Sequence, residues 1–522
     1  MLKQRFRATL AAGSWLEWLL VVLILGLAAY LRLTQRADNP AWHSDEGTLL
    51  NIAQNFARGR VQYLALNQSI LIAARLPLFP VLTALLFPIA GEGMATLRLL
   101  SGALGVLSVG LVCASVRPMG GARLALLAAL LFAVYPNAVL YSRLGFSYNL
   151  LTPLALLTYL ALWRYLSHRR RRWLALAALS IGVGVISDVM MLTFALPFVI
   201  VVLARRWRDL LWSMPLMAAP LGLYAAYMLA TAPQAFLFDV NYILNALGTI
   251  PIGLQPFSVL VNYATLLFKD SWAILGIIGL FLLRVERMQR LTLLMFWLPL
   301  LAISRSTAGL ADLSYRYMIP LLPFVAIGVA ALLEVAAPRL VHIFADDLTA
   351  LVGRWGWRLP RSLLTFGNSL VLFGVIVSPF LISTFLMVRE IQTGFHSTLD
   401  AILIDPGEAR AVSDFINRQT GPSDLVVGSP TTLWQFQTQV SDFQIALAAE
   451  GRHTVSLPAS IPADRFAYDS RYTHAKFVVI DRLWRNWAAP NMPEVAAMMQ
   501  NVQSWPLVFQ AGEIDVYQNP AL

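Results

Sequence analysis

Runs of about twenty apolar residues recur along most of this chain, and no other feature restricts its fold as tightly. A helix of about that length crosses a hydrocarbon layer roughly 30 Å thick, and helices satisfy their own backbone there. The composition agrees. The 522 residues are 58% hydrophobic and 13% charged, against about a quarter charged in soluble domains. The sequence therefore predicts a polytopic α-helical membrane protein.

Arginine-rich turns set the expected topology. Arg117 to Arg123, His168 to Arg172, Arg205 to Arg208, Arg284 to Arg290 and Arg339 to Arg361 read as cytoplasmic. Spans then fall near 14–33, 96–116, 123–142, 148–167, 173–188, 190–204, 210–230, 271–284, 291–304, 317–335 and 363–387, about eleven transmembrane helices. The first follows Lys3, Arg5 and Arg7, lacks a small-x-small cleavage site and is expected to be retained. The N-terminus is placed in the cytoplasm and the C-terminus outside, in a multi-pass plasma-membrane protein. Leu76 to Ala90 contains Pro77, Pro80 and Pro88 and is short for a crossing. It is expected to lie along the interface or to re-enter, which leaves residues 34–95 as a long outer loop. Such loops are usually functional. The net charge of +11 is spent on these cytoplasmic turns, so nucleic acid is not an expected partner. The single cysteine, Cys113, excludes an intrachain disulfide and a cysteine-based metal cluster.

Beyond about Val388 charge rises and apolar runs shorten. A helix is predicted from Pro406 to Asn417, buried strands at Asp424–Gly428 and Lys476–Asp481, and a closing hairpin at Leu507–Gln518. The expected organisation is a transmembrane domain over 1–390 and a small extracytoplasmic α/β domain over 391–522.

Chemistry is sought first in Trp42-His43-Ser44-Asp45-Glu46-Gly47, after the first span. A carboxylate there could take a proton from an incoming hydroxyl. It could equally open a helix, because acidic residues favour helix starts. Neighbouring helical residues diverge by about 100°, so one carboxylate could face a site and the other a structural arginine. Arg75, Arg143, Arg305 and Arg316, with Lys269, are candidates for a cradle around phosphate, whose oxygens match the guanidinium fork. Contact with lipid headgroups is the plainer alternative. Asp188, at a span boundary, either lines a cavity or caps a turn. His43 has no His, Asp or Glu partner at metal-ligand spacing, so a divalent metal is possible but not indicated, and no cofactor is expected.

The order of these features resembles the GT-C class of membrane glycosyltransferases. It is most similar to the dolichyl-phosphate-mannose protein mannosyltransferases and the lipid A aminoarabinose transferases (glycosyltransferase families 39 and 83). The matching residues are His43-Ser44-Asp45-Glu46, Pro77-Leu78-Phe79, Arg98 to Gly105, Tyr141-Ser142-Arg143, and Arg316-Tyr317 with Pro320 and Pro323, over about residues 10 to 340. The resemblance implies a polyprenyl-phosphate sugar donor and a lipid, glycan or protein acceptor on the outer face. It implies that the acidic residue of the first loop is catalytic. That role carries over to Asp45 with Glu46 beside it, and His43, Arg75, Arg143, Tyr148, Asp188, Lys269, Arg305, Arg316 and Tyr317 become expected substrate-binding residues. Arg75 stands where such proteins often have histidine or lysine, and the loop from Arg143 to Asn149 lacks the carboxylate that some of them carry. A lipid or solute transporter, or a membrane scaffold without chemistry, are the alternatives. The spans are nearly free of charge and show no repeat, unlike those of many transporters.

Overall fold

The computed structural model describes residues 15–73, 75–248, 261, 270–303, 314–335, a few positions between 378 and 389, and 402–522. Helix α1, Trp15–Leu33, buries Ile24, Ala28 and Leu31 on one stripe and exposes Trp15, Trp18, Leu19 and Leu23. That is one face for protein and another for lipid. A loop leads to α2, Ser44–Ala57, and then to the apolar helix α3, Leu78–Ala90. With 13 residues α3 is too short to cross a bilayer. It buries Phe79, Pro80, Thr83 and Phe87 and exposes Leu85 and Ile89.

The long helix α4, Met94–Gly120, buries Ser101, Gly102, Gly105 and Ser108, small residues that let helix backbones approach. Helices α5, Ala122–Val134, and α6, Pro136–Arg143, meet at a 56° bend. Pro136 lacks the N–H that would continue the ladder. Helix α7, Tyr148–His168, and a helix at Arg171–Val185 form the next hairpin. Val189–Thr231 is a 43-residue run of helical segments. It is interrupted at Arg206, whose backbone is extended with φ −165°. Helices Ser271–Leu280, Glu286–Ile303 and Tyr315–Val335 follow. The first and last of these approach so closely that a Cβ on Gly279 would stand 1.8 Å from the Gly328 carbonyl oxygen.

The protein is an integral, multi-pass membrane protein. Five described helices are long and apolar enough to cross a bilayer, or six if α5 and α6 form one span. The expected count of eleven exceeds this. Arg171–Val185 and Ser271–Leu280 are short for crossings, and Glu286–Ile303 begins with charged residues. Most of the expected span at 363–387 lies outside the described residues.

Residues 402–522 form an α/β unit around a five-stranded sheet. The strands, which follow a small β1–β2 hairpin at Gln62–Tyr63 and Leu66–Asn67, are β3 (Leu425–Gly428), β4 (Gln439–Asp442), β5 (Phe477–Ile480), β6 (Leu507–Ala511) and β7 (Ile514–Gln518). Their order is β4-β3-β5-β7-β6. β3 is parallel to β4 and β5, while β5–β7 and β6–β7 are antiparallel. β3 and β5 are apolar or small throughout and buried at every position, as parallel strands covered on both faces require.

This unit packs on the 34–95 segment through one shared core that includes Trp42, Leu50, Leu66, Phe79, Val426, Leu433 and Val479. Backbone bridges join Trp42 to Ile404 and Leu66 to Phe466. Arg465 and Asp239, both buried, form an ion pair at 2.8 Å. At Gly47 a Cβ would lie 1.9 Å from the carbonyl oxygen of Pro430, so only glycine permits this approach of α2 to the α/β unit.

Candidate active site

The start of α2 positions the two first-loop carboxylates. His43 is its N-cap, and its Nδ1 accepts a hydrogen bond from the Asp45 backbone N–H at 3.0 Å. The Glu46 carboxylate accepts from the His43 backbone N–H at 3.1 Å, completing a capping box. The imidazole also stands edge-on to Phe146, 5.0 Å between centroids.

Glu46 is fully buried. Arg98 donates to it from Nε at 2.7 Å and from Nη2 at 2.6 Å, and the Gly145 N–H donates at 2.6 Å. Arg98 spends its remaining donors on the carbonyls of Arg36, Pro40 and Ala41. A charge so enclosed holds the first loop against α4 and the loop after α6. Glu46, expected beside Asp45 in catalysis, is thus a buried carboxylate already held by Arg98 and two backbone N–H groups. Arg143, expected to bind substrate, is enclosed in a similar way. It is 1% exposed and donates to the carbonyls of Leu31, Thr34 and Asn39 at 2.8, 2.7 and 2.8 Å. Its cation ties down the end of α1 rather than facing a phosphate.

Asp45 points the other way. One carboxylate oxygen accepts from Arg75 and the other from Arg316 Nη1 at 2.5 Å. The three side chains are 20%, 20% and 16% exposed, so the cluster is largely buried but keeps some access to solvent. Burial alone would raise the Asp45 pKa, but Arg75, Arg316 and His43 outweigh it and hold the carboxyl well below the usual carboxylate range. Arg75 and Arg316 each retain a buried Nε–H without a partner. The Arg316 guanidinium lies over the Tyr317 ring at 5.3 Å, and Tyr317 meets Tyr148 edge-on at 5.3 Å. Asp188 completes the group. It accepts from the Met190 N–H at 3.0 Å and from Ser147 Oγ at 3.3 Å. Burial pushes its pKa up, against the pull of Arg75 and Arg316. The structure thus brings His43, Asp45, Arg75, Tyr148, Asp188, Arg316 and Tyr317 together. Lys269 and Arg305 lie outside the described residues.

Two neighbouring groups escaped the sequence reading. Asp270 accepts from Tyr135 at 2.6 Å, from Asn137 at 2.8 Å and from Tyr315, the residue before Arg316. The signal for it was an N-cap: Asp270 precedes an apolar run and accepts from the Trp272 N–H. Tyr63 donates to Asp442 at 2.8 Å and ties the first loop to the α/β unit. Nothing local in the sequence points to that pair. Among the described residues, no group of three His, Cys, Asp or Glu side chains is placed to hold a metal.

With the geometry established, comparison with known proteins gives the class. A sequence family described as dolichyl-phosphate-mannose-protein mannosyltransferase matches residues 74–235. No curated protein matches the chain by sequence. Among solved structures, ArnT from Cupriavidus metallidurans bound to undecaprenyl phosphate superposes with a TM-score of 0.66 at 16% identity, covering 97% of this chain and 99% of that one. The archaeal oligosaccharyltransferase AglB from Archaeoglobus fulgidus, in complex with an inhibitory peptide and a dolichol-phosphate, gives 0.53 at 14% identity, over 92% and 72%. The arabinofuranosyltransferase AftD from Mycobacteria gives 0.50 at 16%, over 96% and 41%. The chain has the fold of the GT-C class of membrane glycosyltransferases. Within that class it is similar to ArnT and to the protein mannosyltransferases.

Proposed function

We propose that the protein transfers a sugar, hexose or pentose, from a polyprenyl-phosphate donor to a hydroxyl of a lipid, glycan or protein acceptor. The reaction is placed at the extracytoplasmic face of the plasma membrane, with the N-terminus cytoplasmic and the α/β unit outside. One observation carries this reading: two guanidiniums, of Arg75 and Arg316, converge on the single, partly accessible carboxylate of Asp45. Such a site attracts an anion, and the unpartnered Nε–H groups can donate to it.

The acceptor oxygen attacks the anomeric carbon and the carbon–oxygen bond to the lipid phosphate breaks. Asp45 takes the acceptor proton, while the departing phosphate carries its charge onto Arg75 and Arg316. A carboxylate gripped by two arginines is a poor base. Donor phosphate competes for the same guanidiniums, so its arrival loosens their hold on Asp45 and raises its basicity. Base strength and donor occupancy are thereby linked. His43 and Tyr317 orient the two partners, through the Asp45 N–H and the Arg316 guanidinium respectively.

The test is incubation of the purified full-length protein with a panel of polyprenyl-phosphate hexoses and pentoses, following release of free polyprenyl phosphate. Donor consumption by the wild type, lost in Asp45→Asn with folding intact, is expected. Consumption undiminished in Asp45→Asn removes the base assignment, and no consumption across the panel removes the transferase reading.

A further inference from the structure

The far end of α2, away from Asp45, borders an open cavity of about 780 Å³ between the first loop and the α/β unit. Primary amides are the commonest side chains in its lining. Asn51, Gln54 and Asn55 come from one face of α2, where Asn55 donates to Asn51 and Gln54 to the Trp434 carbonyl, and Gln435, Gln437 and Gln439 come from the segment that leads into and opens β4. Trp434 adds an aromatic wall. Of the lining charges, Arg58 and Glu92 pair with each other at 3.1 Å, which leaves Arg60. The Gln435 Nε2 is buried without a hydrogen-bond partner. A second cavity, about 510 Å³, shares Arg60 and Gln62 with the first and reaches Tyr227 and Thr231. Those two residues stand at the end of the apolar helix Leu210–Thr231.

An amide presents donors and an acceptor side by side, which suits a ligand whose every hydroxyl both donates and accepts. A phosphate would call for unpaired cations, and a lipid chain for aliphatic walls. We infer that this cavity binds a neutral, hydroxyl-rich saccharide, carried by a molecule anchored in the adjacent membrane. Asp45 and Asn55 are ten residues apart on one helix, so the cavity sits ~15 Å from the reacting centre along the α2 axis. It holds a part of its ligand that does not react. The assignment stands whether or not Asp45 performs transfer.

The test is binding without turnover. Full-length protein in a detergent lacking a sugar headgroup is titrated with neutral mannose, galactose and glucose oligosaccharides of three to five units, read by saturation-transfer NMR and calorimetry. At least one of these is expected to bind, and Asp45→Asn is expected to bind it as the wild type does. The pair Gln437→Ala with Gln439→Ala, which changes side chains at the cavity rim, is expected to weaken binding at least tenfold at unchanged thermal stability. Gln435→Leu is expected to do the same. Absence of binding across the set, or affinity indifferent to the glutamine changes, overturns the inference. So does clear preference for a phosphorylated saccharide over its neutral form.

Discussion

Asp45 and Glu46 share a peptide bond and an expected role, yet they stand in opposite settings. Glu46 is enclosed, with one arginine forked onto it and backbone donors filling its remaining positions. Asp45 is partly accessible and held by two arginines, one of which, Arg316, also reaches the Tyr317 hydroxyl. The same division runs through the arginines. Arg98 and Arg143 donate to backbone carbonyls deep in the fold, while Arg75 and Arg316 hold the partly accessible Asp45. Ionic groups in this protein thus stand in two settings, one that fixes the loop and one that, on the proposed function, meets a ligand. What separates them is access to solvent, since Arg143 keeps an unpartnered Nε–H just as Arg75 and Arg316 do.

Substitution of the two carboxylates should separate these purposes most sharply. Asp45→Asn is expected to lower transfer by roughly 100- to 10,000-fold, the range for loss of a general base, with a smaller loss of thermal stability because two arginines lose their carboxylate. Glu46→Ala should act chiefly on stability, removing roughly 3–5 kcal/mol by leaving Arg98 buried and unpaired. It is measured as yield and apparent Tm, and an unaltered Tm would break the comparison. Arg316→Lys keeps a charge but loses the fork. It should reduce transfer by ~10-fold or more, since a hydrogen bond to a charged group contributes about 1.5–3 kcal/mol, whereas Arg143→Lys should act mainly on stability. Parallel activity and unfolding measurements on both variants decide this.

A third carboxylate extends the series. Asp481 is fully buried and is held by Ser429 and the N–H groups of Leu483 and Trp484. Burial raises its pKa from 3.8 to about 6, with those hydrogen bonds and Arg485 opposing. The folded state therefore keeps a proton that the unfolded chain has lost between about pH 4 and 6. Its contribution to stability is fullest below pH 4, declines as pH rises through 6 and is flat above about 7, a change on the order of 3 kcal/mol. Asp481→Asn should flatten this part of the profile, measured as apparent Tm between pH 5 and 7. Asp45 has the opposite sign. Its lowered pKa makes its pairing complete above about pH 4 and lost only in stronger acid.

How much of this was legible in the sequence depends on the range of the interaction. Asp45, Arg75 and Arg316, which the structure brings together, could be singled out as candidates because a carboxylate after a span and arginines at loop rims are unusual enough to be noticed one at a time. The strands at Leu425–Gly428 and Phe477–Ile480 were found because a buried parallel strand shows as a short apolar run. Glu46 and Arg143 looked the same as their neighbours because composition does not reveal the direction of a side chain. A turn of about 100° sent Glu46 into Arg98, and Arg143 found three carbonyls more than a hundred residues away. Tyr63 with Asp442, and Asp239 with Arg465, were invisible for the same reason. Each joins segments hundreds of residues apart, and neither partner carries a local signature.

The contact at Gly47 bears on how such a protein can be re-engineered. Only a hydrogen atom fits between this backbone and the Pro430 carbonyl, two residues from Asp45. A C-terminal unit transplanted from a relative must reproduce that fit or shift the helix that carries the carboxylate. The α/β unit therefore cannot be exchanged in chimeras at a convenient sequence boundary. The graft has to bring its own matching first loop.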